Sequence, residues 1–81
     1  MKQPTKCEIT KKIELVIRTK LTREEFGEWA INFIRNDANI PIEDVDAWHY
    51  LVAMSNIDEM IGPDEYLFSE EDIREIMKEY V

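Results

Sequence analysis

The most restrictive feature of this sequence is a complete set of helix-start signals within KLTREEFGEWAINFIRN, residues 20–36. Thr22 can serve as the N-cap, and Glu25 stands three positions later, where its carboxylate can reach back to the Thr22 backbone N–H. Leu21 and Phe26 occupy the two positions of a hydrophobic staple. Together these signals predict a helix that begins next to Thr22.

The residues that follow place their apolar side chains on one face of this predicted helix. They recur at helical spacing, as Phe26, Trp29, Ala30, Phe33 and Ile34. Glu24 and Glu25 in the first turn and Arg35 in the last turn suit the helix dipole. The segment therefore supplies one side of a core and requires other elements to cover it.

An earlier segment repeats the helical spacing with Ile9, Ile13, Val16 and Ile17. Its β-branched residues leave a strand as the alternative for 13–19, although we expect a helix. A third helix is expected to begin near Pro41 or Ile42, because proline suits a first helical turn. The acidic residues at its start agree with this position, namely Glu43, Asp44 and Asp46. The run from 48 to 54 is apolar almost all round, which predicts the most buried helix of the chain.

Gly62 and Pro63 break the chain before a fourth predicted helix. Ser69 is its expected N-cap with Asp72 at the third helical position, and Phe68 and Ile73 repeat the staple spacing. Its apolar residues form a single stripe of Ile73, Ile76, Met77 and Tyr80. The sequence therefore predicts an all-α fold, a compact bundle of about four short helices in a single domain over residues 1–81.

The length of 81 residues allows one small core, which buries on the order of 60% of the unfolded surface. No run approaches the roughly 20 apolar residues that cross a bilayer, and the first residues lack the apolar stretch of a secretory signal. Cys7 is the only cysteine, so an internal disulfide is impossible. We therefore expect a cytoplasmic protein that does not bind membranes.

Residues that could support catalysis or metal binding are few. His49 is the only histidine, and Asp46 at i−3 is its one potential co-ligand nearby. A calcium loop around Asp37 and Asn39 is disfavoured because Pro41 and Ile42 replace a ligand and the required glycine. The two glycines are far apart, so no phosphate-binding loop exists. We expect no enzyme activity, no catalytic residue, no metal and no cofactor.

The charges are unevenly distributed along the chain, which carries a formal net charge of −8. Residues 1–36 contain eight Lys/Arg and five Asp/Glu, whereas residues 37–81 contain two and thirteen. One interpretation is a solvated acidic surface that the basic first helix partly offsets within the molecule. The other is an acidic surface that binds a basic partner. Nucleic-acid binding is disfavoured by the anionic charge of the larger segment.

The pattern R-E-E-x-x-x-W-A at 23–30, followed by Trp48 and Leu51, then Tyr66-Leu67 and Asp72-Ile73, resembles small uncharacterised bacterial helical proteins. Some similar small acidic proteins are immunity proteins that neutralise toxins. The resemblance covers roughly residues 20–80. It implies a helical fold and transfers no functional residue.

Two hypotheses on function follow. The first is a non-enzymatic protein–protein interaction module, such as an immunity protein or an inhibitor of a basic partner, with no nucleic-acid partner. Its candidate binding residues surround the Gly62-Pro63 break, where a loop can present several carboxylates: Asp58, Glu59, Asp64 and Glu65. The alternative is a small enzyme or metal-dependent protein centred on Asp46 and His49. The oligomeric state is left open by the sequence.

Overall fold

The computed structural model describes residues 2–81, which form four helices and a small hairpin. The helices are α1 (Lys6–Ile17), α2 (Arg23–Arg35), α3 (Val45–Met54) and α4 (Glu70–Tyr80). A short 3₁₀ turn (Asp37–Asn39) follows α2. Strands β1 (Met60–Gly62) and β2 (Glu65–Tyr66) pair antiparallel between α3 and α4.

Helix α3 lies at the centre of the bundle and packs against each of the other three helices. It contributes four buried side chains, Ala47, Tyr50, Leu51 and Met54, more than any other helix. The Tyr50 ring stacks on that of Tyr80 with centroids 5.2 Å apart, and its hydroxyl lies 2.9 Å from Thr10 Oγ1. The rest of the core comes from all the other helices and from Ile57 after α3, as Ile9, Ile13, Val16, Phe26, Ala30, Ile57 and Ile73.

The capping predictions for α2 and α4 are confirmed. Thr22 Oγ1 accepts from the Glu25 backbone N–H at 3.0 Å, and the Thr22 N–H donates to the Glu25 carboxylate at 3.0 Å. Ser69 and Asp72 form the same reciprocal pair at the start of α4. Thr5 and Glu8 form a third capping box that fixes the start of α1, a signal present in the sequence that our prediction did not use.

The helix prediction for the first segment is confirmed, and the strand alternative for 13–19 is wrong. Helix α1 ends at Ile17, and Thr19 adopts the left-handed conformation with φ 58°. The backbone N–H of Lys20 then donates to the Leu15 carbonyl at 2.8 Å. This turn reverses the chain and lets α2 pack beside α1.

The predicted start of the third helix near Pro41 or Ile42 is wrong by about one turn. Helix α3 begins at Val45, and its N-cap is Asp44, whose side chain accepts from the Ala47 N–H at 3.0 Å. Gln3 holds the residues just before it, because its side-chain oxygen accepts from the backbone N–H groups of Glu43 and Asp44. A side chain 40 residues away therefore keeps this segment extended.

The all-α prediction also needs correction, since the fold is largely helical but contains a two-stranded sheet. Met60 pairs with Tyr66, and Gly62 pairs with Glu65. Arg23 in α2 holds the base of this hairpin by donating from Nη1 to the carbonyls of Ile57 and Phe68. Within residues 2–81, no helix is long and apolar enough to cross a membrane.

Candidate functional site

The positive charges of the chain are concentrated at its N-terminal end. Residues 2–20 contain six Lys/Arg and two Glu, a net charge of +4, whereas residues 21–81 carry −12. The first group includes the whole of α1 and most of the turn that follows it. An anionic ligand would therefore meet the least electrostatic repulsion at this end of the molecule.

Four of these cations form what we call the α1 surface, made of Lys11, Lys12, Arg18 and Lys20. Lys11 and Arg18 are exposed and seven positions apart, so they lie about two helical turns apart on one face. Leu15 lies between them and is 40% exposed. The ammonium group of Lys12 lies 5.1 Å from the centre of the Trp29 ring in α2. The α1 surface thus runs along the outer side of α1 and into the turn.

Three cations outside the α1 surface, Lys6, Arg23 and Arg74, form polar contacts within the fold. Lys6 forms an ion pair with Asp46 in α3, and hydrogen bonding to that carboxylate raises the pKa of Lys6. Arg74 pairs with Glu70 at 3.4 Å, one turn away in α4. Arg23 donates hydrogen bonds to carbonyls at the base of the hairpin, and its guanidinium group lies over the Tyr66 ring. The ion pairs within residues 2–81 are those of Lys6 with Asp46 and of Arg74 with Glu70, and neither involves the α1 surface.

Helix N-termini often bind phosphate, but three of them in this protein are capped by side chains of the fold. The free N–H groups at the starts of α1, α2 and α4 are capped by Thr5, Thr22 and Ser69. In each capping box an acidic side chain returns to the N-cap N–H and places a negative charge there. Phosphate contacts are therefore more favourable at lysine and arginine side chains than at these three helix starts.

The four carboxylates predicted to bind a basic partner lie in and beside the hairpin. Glu59, Asp64 and Glu65 are exposed there. Asp58 is half-buried, and its carboxylate lies against Gly27 of α2, where an added Cβ would be only 2.7 Å from Asp58 Oδ2. Three of the predicted carboxylates are therefore exposed in or beside the hairpin, whereas the Asp58 carboxylate contacts α2. Their role in binding stays a prediction.

The two residues of the alternative site, Asp46 and His49, lie in different environments. The Asp46 carboxylate forms an ion pair with Lys6, whereas the His49 side chain is exposed to solvent. Across residues 2–81, no group of three or more His, Cys, Asp and Glu side chains is placed to hold a metal ion. Within this described part of the chain, Asp46 and His49 therefore have no third metal ligand beside them.

Comparison with known proteins places the chain in a family. Residues 2–80 match the model of a family described as "YxzC DNA-binding protein". The chain belongs to this family. It is also 33% identical over 73 residues to a Bacillus subtilis (strain 168) protein named "Uncharacterized protein YxzC". The alignment covers 90% of this chain but 59% of that relative, and no solved structure matches.

This membership corrects the functional hypothesis drawn from the sequence. The resemblance to small uncharacterised bacterial proteins is confirmed, but nothing supports the immunity-protein likeness. The family description conflicts with an interaction module for a basic protein and with the exclusion of nucleic acid. The error came from reasoning on the net charge of the larger segment, although the +3 charge of residues 1–36 already indicated where an anionic ligand could bind.

Proposed function

We propose that this protein binds DNA through the α1 surface. The family description supplies the class of ligand. The location is supported by the clustering of Lys11, Lys12, Arg18 and Lys20 along α1 and the turn after it, where none of them forms an ion pair within residues 2–81. The other cations without an ion pair there, Lys2, Arg23, Arg35 and Lys78, are spread over the N-terminal residues, α2 and α4. The four side chains of the α1 surface can exchange their counterions for phosphate without breaking a salt bridge of the fold.

The spacing of these cations suits a phosphate backbone. Lys11 lies in α1 and Arg18 is its C-cap, seven positions later, which corresponds to a rise of about 10 Å. Duplex DNA carries a negative charge every ~1.7 Å along its axis. Several phosphates therefore lie within reach of the flexible side chains at any register. Contacts of this kind position a protein on DNA without reading its sequence.

The acidic remainder of the molecule restricts how DNA can approach. Residues 21–81 carry −12, which disfavours phosphate binding to the surfaces that they form and supports an approach of DNA along α1. If all four cations replace counterions, the slope of log K against log salt should approach roughly −3.6, from about 0.9 per phosphate contact. Binding should therefore be weak at physiological salt and steeply salt-dependent.

Fluorescence anisotropy with a labelled random-sequence duplex, measured from 50 to 200 mM NaCl, tests this proposal. The double variant Lys11→Gln, Arg18→Gln should lose most of the binding and reduce the magnitude of the salt slope by about 2. Glu14→Gln, which removes a carboxylate of α1, should bind more tightly than the wild type because a repulsive charge is gone.

The matched control is Arg74→Gln, Lys78→Gln, which changes the net charge by the same two units on exposed positions of α4. It should retain nearly wild-type binding. Equal losses in the two double variants would mean that only net charge matters and would refute the α1 surface. Failure of the wild type to bind duplex DNA at 50 mM NaCl would refute DNA binding itself.

A further inference from the structure

Leu15 is an exposed apolar side chain in the middle of the α1 surface. It is 40% exposed and lies outside the hydrophobic core, to which α1 contributes Ile9, Ile13 and Val16 from its opposite side. A single exposed leucine is ordinary on a protein surface. The position of this one among the cations of α1 distinguishes it, and the phosphate contacts proposed above give it no role.

Leu15 is surrounded by the cations of α1. Its neighbours at i−4, i−3 and i+3 are Lys11, Lys12 and the C-cap residue Arg18. At about 100° per residue, Lys12 lies about 60° to one side of Leu15 around the helix axis. Lys11 and Arg18 lie about 40° and 60° to its other side. Leu15 therefore lies between two rows of positive charge.

A DNA molecule that contacts both rows of cations lies over Leu15. The lysine and arginine side chains are longer than leucine, so their charged ends extend beyond it towards phosphates on either side. Leu15 then faces whatever lies between the two rows of phosphates. In duplex DNA that space is a groove, whose floor consists of the edges of the base pairs.

The dimensions of α1 select the major groove. An α-helix with its side chains is about 10–12 Å across, and the major groove is about 12 Å wide, whereas the minor groove is only about 6 Å wide. The inner side of α1 packs against α2, α3 and α4, but Lys11, Leu15 and Arg18 are exposed on its outer side. This outer side can therefore enter a groove without displacing another helix.

The major groove also offers the chemistry that an apolar side chain requires. Thymine presents its C5-methyl group there, whereas the minor-groove edge of an A·T pair presents hydrogen-bond acceptors. A leucine on the groove floor can therefore bury a methyl group of the DNA.

The carboxylates of α1 are compatible with this orientation. Glu8 lies seven positions before Leu15 on the same side of the helix, but its carboxylate accepts from the Thr5 hydroxyl at 3.3 Å and from the Thr5 N–H at 3.5 Å. Glu14 lies about 100° from Leu15, beyond Lys11 and Arg18. Neither carboxylate thus lies beside Leu15 between the two rows of cations.

We propose that α1 binds in the major groove of duplex DNA and that Leu15 contacts the C5-methyl group of thymine. This inference rests on the proposed binding of DNA through the α1 surface, and it adds a base contact to the phosphate contacts. One leucine can discriminate at about one or two base pairs, so the preference is for thymine-containing sites rather than for one long sequence.

Deoxyuridine tests this contact because it removes the methyl group of thymine and leaves base pairing and charge unchanged. Fluorescence anisotropy at 50 mM NaCl compares an A·T-rich duplex with the same duplex in which deoxyuridine replaces thymidine. The wild type should bind the thymidine duplex about fourfold more tightly, the factor expected for burying one methyl group. Leu15→Ala should bind the two duplexes equally and keep the salt dependence of the wild type, because all four cations remain.

Leu67→Ala is the matched control, since it makes the same substitution at a 45% exposed position outside α1. It should retain the fourfold preference, and circular dichroism melts confirm that both variants are folded, as expected for exposed positions. A preference that Leu15→Ala retains, or one that Leu67→Ala also loses, would overturn the inference.

The wild type separates this inference from DNA binding itself. Equal binding of the two duplexes, with the loss in Lys11→Gln, Arg18→Gln unchanged, would overturn the groove contact and leave phosphate binding through the α1 surface standing. Absence of binding to either duplex would refute the proposed function and the groove contact together.

Discussion

The guanidinium group of Arg23 lies 4.2 Å from the centre of the Tyr66 ring, and this contact joins α2 to the hairpin. The same arginine donates to the carbonyls of Ile57 and Phe68, the residues on either side of the hairpin base. Tyr66 is held from its other end by the hydrogen bond that its hydroxyl donates to Glu24 at 2.8 Å, which raises the pKa of Tyr66. One side chain thus anchors a sheet too small to be stable alone.

Replacing Arg23 by Ala should therefore destabilise the protein by about 2 kcal/mol, because two charge-assisted hydrogen bonds and one cation–π contact are lost. Arg23→Lys keeps the charge but cannot donate in a fork, and it should recover only part of the loss. Urea denaturation measures both changes. Arg35→Ala, at an exposed position of the same helix, is the control and should change stability by less than about 0.5 kcal/mol. Equal effects at the two arginines would contradict the anchoring role.

The capping box of α2 makes a separate prediction. Thr22→Ala removes the acceptor of the Glu25 N–H and should lower the free energy of unfolding by roughly 1 kcal/mol. Thr22→Ser keeps the hydroxyl and should stay close to the wild type. The midpoint of urea denaturation is the measurement, and an unchanged midpoint with an unchanged slope for Thr22→Ala would show that this cap does not stabilise α2.

Acid should weaken the fold through two capping carboxylates. Hydrogen bonds from Thr22 lower the pKa of Glu25, and hydrogen bonds from Ser69 lower the pKa of Asp72, from ordinary values of 4.5 and 3.8. Their stabilisation is therefore complete above these ordinary values and is lost as pH falls through the lower values of the folded state. Unfolding free energies measured from pH 6 to pH 2.5 should decline below about pH 4.5. The variant Glu25→Gln, Asp72→Asn should show a shallower decline, and an identical slope would disprove the assignment.

Gly27 and Asp58 should show coupled effects on stability. An alanine at position 27 would place its Cβ 2.7 Å from Asp58 Oδ2, so the half-buried carboxylate would have to move. In the background of Asp58→Ala, Gly27→Ala should stabilise α2 by up to about 1 kcal/mol through helix propensity. In the wild type the same substitution should be neutral or destabilising. A double-mutant cycle measures this coupling, and additive effects would mean that the contact is unimportant.

Predictions that rest on local signals were confirmed because the interacting groups lie within one or two helical turns. The boxes of Thr22 with Glu25 and of Ser69 with Asp72 join residues three positions apart. The apolar stripe of α4 packs on the core through Ile73, Ile76 and Met77 as its spacing predicts. Such signals identify where most helices begin and which face they bury, whatever the rest of the chain does.

The features that sequence reasoning missed depend on contacts between distant residues. The hairpin has strands of three and two residues, too short to show alternation, and Arg23 reaches across 34 and 45 residues to hold it. The later start of α3 depends on Gln3, whose hydrogen bonds span 40 residues. Neither partner could be paired with its target from sequence spacing alone.

The charge distribution along the chain, the four helical segments and most of their caps were determined by the sequence itself, because they depend on residue type and short spacing. Which cations stay free was decided only by the tertiary structure, since the Lys6 pair with Asp46 forms when α1 packs against α3. The same packing buries one apolar face of α3 and leaves the other exposed. The physical reason is that the availability of a charge or an apolar face depends on which distant residue packs against it.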